Sequence, residues 1–253
     1  MTAKDQESAG LRWRVFRNTH LQAPLSLFRS VITDRDYDDV LGDSATPARR
    51  PMHSALKRAL WCWPRIDAAR GWAHAQAGAA WGPENYLHTH RTRLITKVLD
   101  VVPTDASLLE LGCNCGSDMD QLRVAGYRRL KGMDAGGDAI RLFAREYPET
   151  FEIADIQRDL FQRYLLNTAT DSVDYVYSNG ATIELVHPSF PVVKEICRVA
   201  TKGVLLDLNE HGHGFPRDYV GQFARYGFPM TYTDRETDPH PSSQIFVFTR
   251  AER

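Results

Sequence analysis

The segment 110–116 combines residue types that can hold a small polar ligand. It reads Glu-Leu-Gly-Cys-Asn-Cys-Gly and follows a short run that begins Ser107-Leu-Leu. Gly112 and Gly116 have no Cβ, so the backbone at these positions can come close to a ligand. The residues that follow begin a predicted helix, whose first N–H groups have no partner within the helix. The segment therefore predicts a ligand-binding loop at the end of a strand.

Two acidic side chains extend this predicted site. Asp134 follows the run 129–133, and Asp155 follows the run 151–154. We expect each acid to lie at the end of a strand. In open parallel sheets, ligands bind at the carboxyl ends of the strands, so both carboxylates are expected beside the loop.

The composition of the loop disfavours two other ligands. A dinucleotide-binding turn would read Gly-x-Gly-x-x-Gly, but counted from Gly112 the third position is Asn114 and the sixth is Ser117. Cys113 and Cys115 form a Cys-x-Cys pair with no further cysteine or histidine nearby, which makes a poor metal site. Neither a dinucleotide nor a metal ion is therefore expected at this loop.

Candidate general bases lie in two later segments. Glu184 and His187 follow the predicted fourth strand, and either could accept a proton from a substrate. His211 and His213 follow the predicted fifth strand and could hold a metal ion together with Asp207 or Asn209. Such histidines more often line a substrate pocket, so no metal is expected.

Alternating strands and helices must position these residues. Strands are predicted at 107–111, 129–133, 151–154, 173–177, 203–208, 231–233 and 245–249, and helices at 84–102, 118–125, 138–147, 190–200 and 218–226. This alternation predicts an α/β fold with a seven-stranded, mostly parallel, doubly wound sheet. No helix separates the final two strands, so the last strand is expected to run antiparallel. We predict a mostly helical N-terminal extension, and candidate lid, over 1–80 and the main domain over 81–253.

The loop resembles motif I of the class I S-adenosylmethionine (SAM) dependent methyltransferases. That motif is usually Glu/Asp-x-Gly-x-Gly-x-Gly, and here Asn114 replaces the middle glycine. Asparagine tolerates a positive φ better than most residues. The stretch 194–206 is similar to the block that precedes strand five in the same family. The resemblance covers roughly residues 86–248 and implies a Rossmann-like methyltransferase fold with SAM as cofactor.

The same resemblance implies roles for individual residues. Asp134 would accept hydrogen bonds from both ribose hydroxyls, Asp155 would accept from the adenine amino group, and Ile156 would pack on the adenine ring. Asn179, after the fourth strand, would face the methyl donor. The cofactor residues implied in full are Tyr86, Arg91, Glu110, Gly112, Asn114, Gly116, Asp134, Asp155, Ile156 and Asn179, with Tyr86 and Arg91 at the methionine end. Related enzymes often carry a catalytic histidine after strand four, where Glu184 or His187 would serve; His211 is the third catalytic candidate.

Charge and composition limit the partners. The 253 residues carry a formal net charge of -1, so no basic field attracts nucleic acid. The Asn/Asp-Pro-Pro-aromatic quartet of amino-methylating enzymes that act on nucleobases is absent at Asn179, which argues against a DNA acceptor. A polar N-terminal stretch, the lack of a long apolar run and four cysteines without a disulfide framework predict a cytoplasmic protein without a membrane partner.

Taken together, these patterns predict SAM-dependent methyl transfer to an O or N atom of a small-molecule metabolite, as in natural-product biosynthesis. Two alternatives stay open: a protein or RNA methyltransferase, and a non-catalytic partner subunit with this fold. The glycines of the loop and the two strand-end acids argue against the non-catalytic alternative. The sequence also leaves a homodimer open.

Overall fold

Seven strands form one sheet in the computed structural model, which describes residues 82–88, 92–180, 183–186, 191–208, 218–234 and 243–252. They are β1 (Ser107–Leu111), β2 (Arg129–Asp134), β3 (Asp155–Arg158), β4 (Val173–Asn179), β5 (Ala200–Leu208), β6 (Met230–Thr233) and β7 (Gln244–Thr249). Their order is β3-β2-β1-β4-β5-β7-β6, and β7 is antiparallel to both of its neighbours. The other pairs are parallel, which confirms the predicted sheet. The predicted N-terminal extension over 1–80 lies outside the described residues.

Helices connect most of the strands. They are α1 (Arg93–Val101), α2 (Ser117–Val124), α3 (Gly137–Glu146), α4 (Pro148–Ile153), α5 (Phe161–Asn167), α6 (Val192–Val199) and α7 (Tyr219–Arg225), with short 3-10 helices at Pro83–Tyr86 and Ile183–Leu185. Helix α3 has ten residues, whereas a membrane crossing needs about 20. Within the described ranges, no helix is both long and apolar enough to cross a bilayer.

The sheet is covered by apolar side chains on both faces. Along β5, Val204 and Leu206 belong to one buried cluster, whereas Leu205 belongs to the other. The first cluster includes side chains of α5, α6 and α7, and the second includes those of α1, α2 and α3. Successive side chains of a strand point to opposite faces. Asp207, two residues after Leu205, therefore lies on the face covered by α1 and α2.

The chain before β1 departs from the single helix predicted over 84–102. It forms the 3-10 helix Pro83–Tyr86, becomes extended at Leu87 and has a left-handed His88 with φ of 55°. Helix α1 then begins at Arg93, where the Thr92 side chain accepts a hydrogen bond from the Ile95 N–H. A threonine cap satisfies one of the free N–H groups of the first turn, so it starts a new helix at this point.

The segment predicted as the third strand, 151–154, is also different. Residues Pro148–Ile153 form α4, and β3 starts only at Asp155. Pro148 occupies the first turn of α4, where proline is favoured, and Glu149 suits the positive end of the helix dipole. The Phe151 ring packs edge-on against Phe143 at 5.4 Å between centroids. Phe151 therefore lies on the packed side of a helix and not in a strand.

Arg198 of α6 contacts the C-terminal end of α5. Its guanidinium donates hydrogen bonds to the carbonyls of Leu165 at 2.5 Å and Thr168 at 2.8 Å, and it pairs with Glu195 at 2.7 Å. The last carbonyls of a helix have no partner within it. Arg198 thus caps α5, a helix that the sequence had not predicted, and fixes the turn into β4.

Asp174 provides a test of fold stability. Its carboxylate accepts hydrogen bonds from the Ser107 N–H at 2.8 Å and hydroxyl at 3.0 Å, and pairs with Lys202 at 3.1 Å. Partial burial would raise the pKa of Asp174, but the bonds from Ser107 and Lys202 outweigh it and lower the pKa to about 2. Because Lys202 is exposed, we expect Asp174→Asn to lower the free energy of unfolding at pH 7 by only about 1–2 kcal/mol.

The pH dependence of this effect has a defined sign. A carboxyl with a depressed pKa in the folded state stabilises the fold above its unfolded pKa of about 3.9, and this contribution is lost as the pH falls towards 2. In urea titrations the difference between wild type and Asp174→Asn should therefore shrink below about pH 4. Asp100→Asn, which removes an exposed pair with Lys97, is the control and should change stability by less than about 0.5 kcal/mol. Equal losses in the two variants would contradict the assignment.

Candidate cofactor and active site

Three residues of the loop between β1 and α2 have a left-handed backbone. They are Gly112 (φ 83°), Asn114 (φ 47°) and Gly116 (φ 79°). Asparagine is among the few residues other than glycine that adopt this conformation readily, which accounts for Asn114 where the family motif has glycine. The N–H groups of Gly112 and Cys113 donate to the Met133 carbonyl at 2.8 and 3.0 Å. The loop is thus bonded to the end of β2.

Asp134 ends β2 with both carboxylate oxygens hydrogen-bonded. Oδ1 accepts from the Gly136 N–H at 2.6 Å, and Oδ2 accepts from the Asn114 N–H at 3.0 Å. Burial raises the pKa of Asp134, and these N–H donors counteract part of the rise. A carboxylate has about four lone-pair positions, so it can accept further hydrogen bonds besides these. The carboxylate is therefore a fixed two-point acceptor beside the loop, which suits a pair of neighbouring hydroxyls.

Glu110 lies beneath the loop rather than facing solvent. Its side chain is only 2% exposed, and Oε2 accepts a hydrogen bond from the Tyr177 hydroxyl at 2.9 Å. Burial and the nearby Asp118 carboxylate raise the pKa of Glu110 well above its usual range, although the Tyr177 hydroxyl opposes this. Burial and Glu110 likewise raise the pKa of Tyr177. The pair links β1 to β4 directly under the loop.

Asn179 at the end of β4 is held by an acid that the sequence did not single out. Its Nδ2 donates to Asp118 Oδ2 at 2.8 Å, and Asp118 lies in the first turn of α2. Burial raises the pKa of Asp118; the bond from Asn179 opposes the rise, and the Asp207 carboxylate adds to it. The amide of Asn179 is therefore oriented by α2, next to the loop.

A second polar group lies at the end of β5. Arg93 of α1 pairs with Asp234 at 3.0 Å and donates to the Ser243 carbonyl at 2.9 Å. Burial raises the pKa of Asp207; Ser243 and Arg93 lower it, whereas Glu184 and Asp234 raise it. This group was missed because its members are up to 150 residues apart in the chain. Only the position of Asp207 at the end of a predicted strand signalled it.

The structure brings Tyr86 close to the loop. Tyr86 closes the 3-10 helix Pro83–Tyr86 and is half-buried. Burial raises the pKa of Tyr86, and the nearby Cys115 thiol of the loop adds to the rise. His88, two residues further on, is held at the C-terminal end of α3, because its N–H donates to the Tyr147 hydroxyl at 3.1 Å. Arg91, the other residue expected on this side, lies outside the described residues.

The placement of Asp155 corrects a sequence expectation. Asp155 begins β3 instead of ending it, is exposed, and lies 3.9 Å from Lys131. It is level with Lys131 in the sheet, whereas Asp134 is level with Arg158 at the other end of β3. Ile156 is level with Gly132, inside the sheet. Neither residue therefore lies at the carboxyl end of β3, because α4 displaces the strand towards the C-terminus.

Asp159 and Leu160 occupy the position where the sequence placed Asp155 and Ile156. The Asp159 N–H donates to the Asp134 carbonyl at 3.0 Å, so Asp159 directly follows the end of β3 beside the site. Its Oδ1 accepts from the Leu160 N–H at 2.7 Å and contacts Arg163. The same acid–apolar pair of residue types occurs at both positions, so the sequence pattern alone could not distinguish them.

Of the three catalytic candidates, Glu184 lies in the described part. It is buried, at 1% exposure, within the 3-10 helix Ile183–Leu185 that follows β4. His187 and His211 lie outside the described residues, as does His213. Among the residues that the structure does describe, no three His, Cys, Asp or Glu side chains meet as a metal-binding group.

Comparison with known proteins identifies the fold. No protein-family model matches the sequence, and no curated protein matches it. Among matching solved structures, magnesium protoporphyrin IX methyltransferase from Synechocystis PCC 6803 with bound SAM gives a TM-score of 0.56 at 12% identity, over 74% of this chain and 99% of that one. A TehB-like SAM-dependent methyltransferase from Corynebacterium glutamicum gives 0.55 at 14% identity, over 72% and 100%.

A third match comes from the complex of a putative methyltransferase with the methyltransferase activator of Haloferax volcanii. Its TM-score is 0.53 at 14% identity, over 75% of this chain and 100% of that chain. Together with the strand order and the antiparallel β7, these matches show that the chain has the class I SAM-dependent methyltransferase fold. The Synechocystis enzyme was crystallised both with SAM and with S-adenosylhomocysteine (SAH).

Proposed function

We propose that the protein binds SAM at the carboxyl edge of β1, β2 and β4 and transfers its methyl group to an O or N atom of a small-molecule metabolite. The strongest support is the bond between the Asn114 N–H and Asp134. It places a two-point carboxylate acceptor beside a loop whose glycines let the backbone approach a ligand. A ribose with two neighbouring hydroxyls fits that arrangement.

The chain offers a partner for each part of the cofactor. Asp134 binds the ribose hydroxyls, and the loop glycines border the methionine portion. Asp159 accepts from the adenine amino group and Leu160 packs on the ring, the roles expected for Asp155 and Ile156. Tyr86 covers the loop from the side of α3. Glu110 acts from beneath, through its bond with Tyr177, and keeps β1 and β4 in register under the loop.

On the acceptor side, the residues have to orient a nucleophile and remove its proton. Bound SAM supplies a methyl carbon on a sulfonium, and an acceptor lone pair displaces SAH as the C–S electrons return to sulfur. Asn179, oriented by Asp118, lies at the end of β4 where the acceptor must approach. Glu184, or else His187 or His211, takes the proton from the acceptor hydroxyl or ammonium.

The charge of the described edge favours a small acceptor over RNA. Asp207 lies near both Asp118 and Asp234 there, and Arg93 pairs with Asp234 and lowers the pKa of Asp207. A nucleic-acid backbone is polyanionic and is bound through clustered Lys and Arg side chains. An acidic edge would repel such a substrate, whereas a neutral or cationic metabolite meets no such barrier.

Calorimetry on the full chain tests cofactor binding first. We expect one SAM and one SAH per chain, and no binding of NADH. A Kd of 1 mM corresponds to about 4 kcal/mol of binding free energy. If SAM at about 1 mM does not bind, the proposal is wrong.

Methyl transfer is tested separately with labelled SAM. Hydroxylated and amine-bearing small molecules, including natural-product intermediates, form one panel; peptides and total RNA form two others. We expect label in the small-molecule panel. If label appears only in peptides or RNA, the acceptor is a protein or an RNA and not a small molecule. SAM binding with label in no panel would favour a non-catalytic subunit.

A further inference from the structure

Arg158 has an unusual position at the outer end of the candidate site. It is the last residue of β3 and lies level with Asp134 on the neighbouring strand. Its guanidinium atoms Cζ, Nη1 and Nε lie 2.8, 2.9 and 3.1 Å from the point that a Cβ on Gly137 would occupy. A side chain at 137 would therefore displace the guanidinium. The first residue of α3 has to be glycine for Arg158 to rest there.

No neighbouring charge explains this position. Among the described residues, no side chain or backbone group forms a hydrogen bond or ion pair with the exposed guanidinium of Arg158. Three arginines of the helices α3 and α5 each contact an acid: Arg141 contacts Asp138, Arg145 contacts Glu146, and Arg163 contacts Asp159. A cation at the start of a helix also opposes the helix dipole. The guanidinium thus occupies the space that Gly137 leaves open, without an acid beside it.

We propose that Arg158 stacks on the adenine ring of the bound cofactor and closes the outer side of its pocket. This inference rests on the proposed function, because it takes the ribose to lie on Asp134. The methionine end then extends along the loop towards Asn179 and β4, so the adenine extends the other way, to the end of β3. Arg158 stands at that end, beside Asp159. A planar, weakly hydrated guanidinium is the cationic group best suited to cover an aromatic ring.

The test compares ligands that share the adenine but differ elsewhere. SAH contains adenine, ribose and an amino acid, whereas 5′-methylthioadenosine lacks the amino acid. We expect Arg158→Ala to weaken both by the same factor, about fivefold, which corresponds to the upper range of an exposed cation–π contact. Arg158→Lys keeps the charge but loses the planar group, so most of the loss should remain. Arg141→Ala, which removes an exposed arginine of the neighbouring helix α3, is the matched control and should bind as wild type does.

Several outcomes would contradict the role of Arg158 but leave the proposed function unaffected. Wild-type affinity in Arg158→Ala would do so, and so would full affinity in Arg158→Lys, which would mean that charge alone matters. Adenosine 2′,5′-bisphosphate provides a third arm. If Arg158→Ala weakens only this ligand, the guanidinium binds a phosphate and not the adenine. If the wild-type protein binds neither SAH nor methylthioadenosine, the proposed function itself fails. Because Arg158 has no partner to lose, the variants should unfold at the wild-type urea concentration.

Discussion

Gly116→Ala is expected to lower the free energy of unfolding by about 2–5 kcal/mol, through a backbone contribution of about 1–2 and an overpacking contribution of about 1–3. The φ of Gly116 is 79°, and its missing Cβ would stand 2.3 Å from two atoms of the Phe143 ring. That ring is fully buried and packs against Phe151 and Tyr147.

Gly227→Ala separates the two contributions. Gly227 has nearly the same φ, 83°, but no atom within 4 Å of the Cβ position. Its substitution should therefore remove only about 1–2 kcal/mol, the strain of a left-handed alanine. Urea unfolding of the two variants measures the difference. Equal losses would show that Phe143 adapts and that the clash is not a constraint.

A double variant tests the contact directly. Phe143→Leu leaves space near Gly116, so Gly116→Ala should be less damaging in that background than in the wild type. The resulting coupling energy should be about 1–2 kcal/mol, in the range measured for residues in contact. The turn that brings the backbone to the ligand is therefore also tied to the packing between α2 and α3. This explains why Gly116 is required whatever the ligand is.

Two of the strands that the sequence predicted correctly have apolar side chains on both faces. β1 is buried at all five positions, and β5 alternates between two clusters that are both apolar. Buried parallel strands read as short apolar runs bounded by turns. β3 lies at the sheet edge and reads Asp-Ile-Gln-Arg, so it has no such signature. The pattern predicts the strand in the more apolar segment just before it, 151–154, but this segment packs as part of α4.

The candidate site also has parts that the sequence could predict and parts that it could not. Asp134 and the left-handed loop could be predicted, because each is defined by residues next to one another in the chain. The bonds from Asn179 to Asp118 and from Arg93 to Asp234 join residues 61 and 141 positions apart. Such pairs form only when the sheet order brings α1, α2, β4 and β6 together. The error at Asp155 has a local origin, since a second acid–apolar pair, Asp159 and Leu160, follows four residues later.

Asp134→Asn is expected to weaken SAH binding by about 100-fold or more, because hydrogen bonds to a charged group contribute about 1.5–3 kcal/mol each and two ribose hydroxyls are involved. The amide keeps one acceptor and turns the other position into a donor. That donor would face the N–H of either Asn114 or Gly136. Asp138→Asn, an exposed acid four residues further on, is the matched control and should bind SAH normally.

Stability and pH dependence separate loss of binding from loss of fold. Burial raises the pKa of Asp134, so the ionised carboxylate is already unfavourable in the folded state. Replacing it with a neutral amide should therefore change the free energy of unfolding by no more than about 1 kcal/mol, since the removed desolvation penalty offsets the weakened hydrogen bonds.

The sign of the pH effect on binding follows from the same shift. An ordinary aspartate has a pKa of about 3.9. Because the pKa of Asp134 is raised, its carboxylate becomes protonated at a higher pH than that. SAH affinity should accordingly fall as the pH is lowered towards that value, and the fall should be absent from Asp134→Asn. Calorimetry of both proteins between pH 4.5 and 8 provides the comparison. If both lose affinity in parallel, or if Asp134→Asn binds SAH within threefold of wild type, Asp134 does not hold the ribose, and the cofactor must lie elsewhere along the sheet edge.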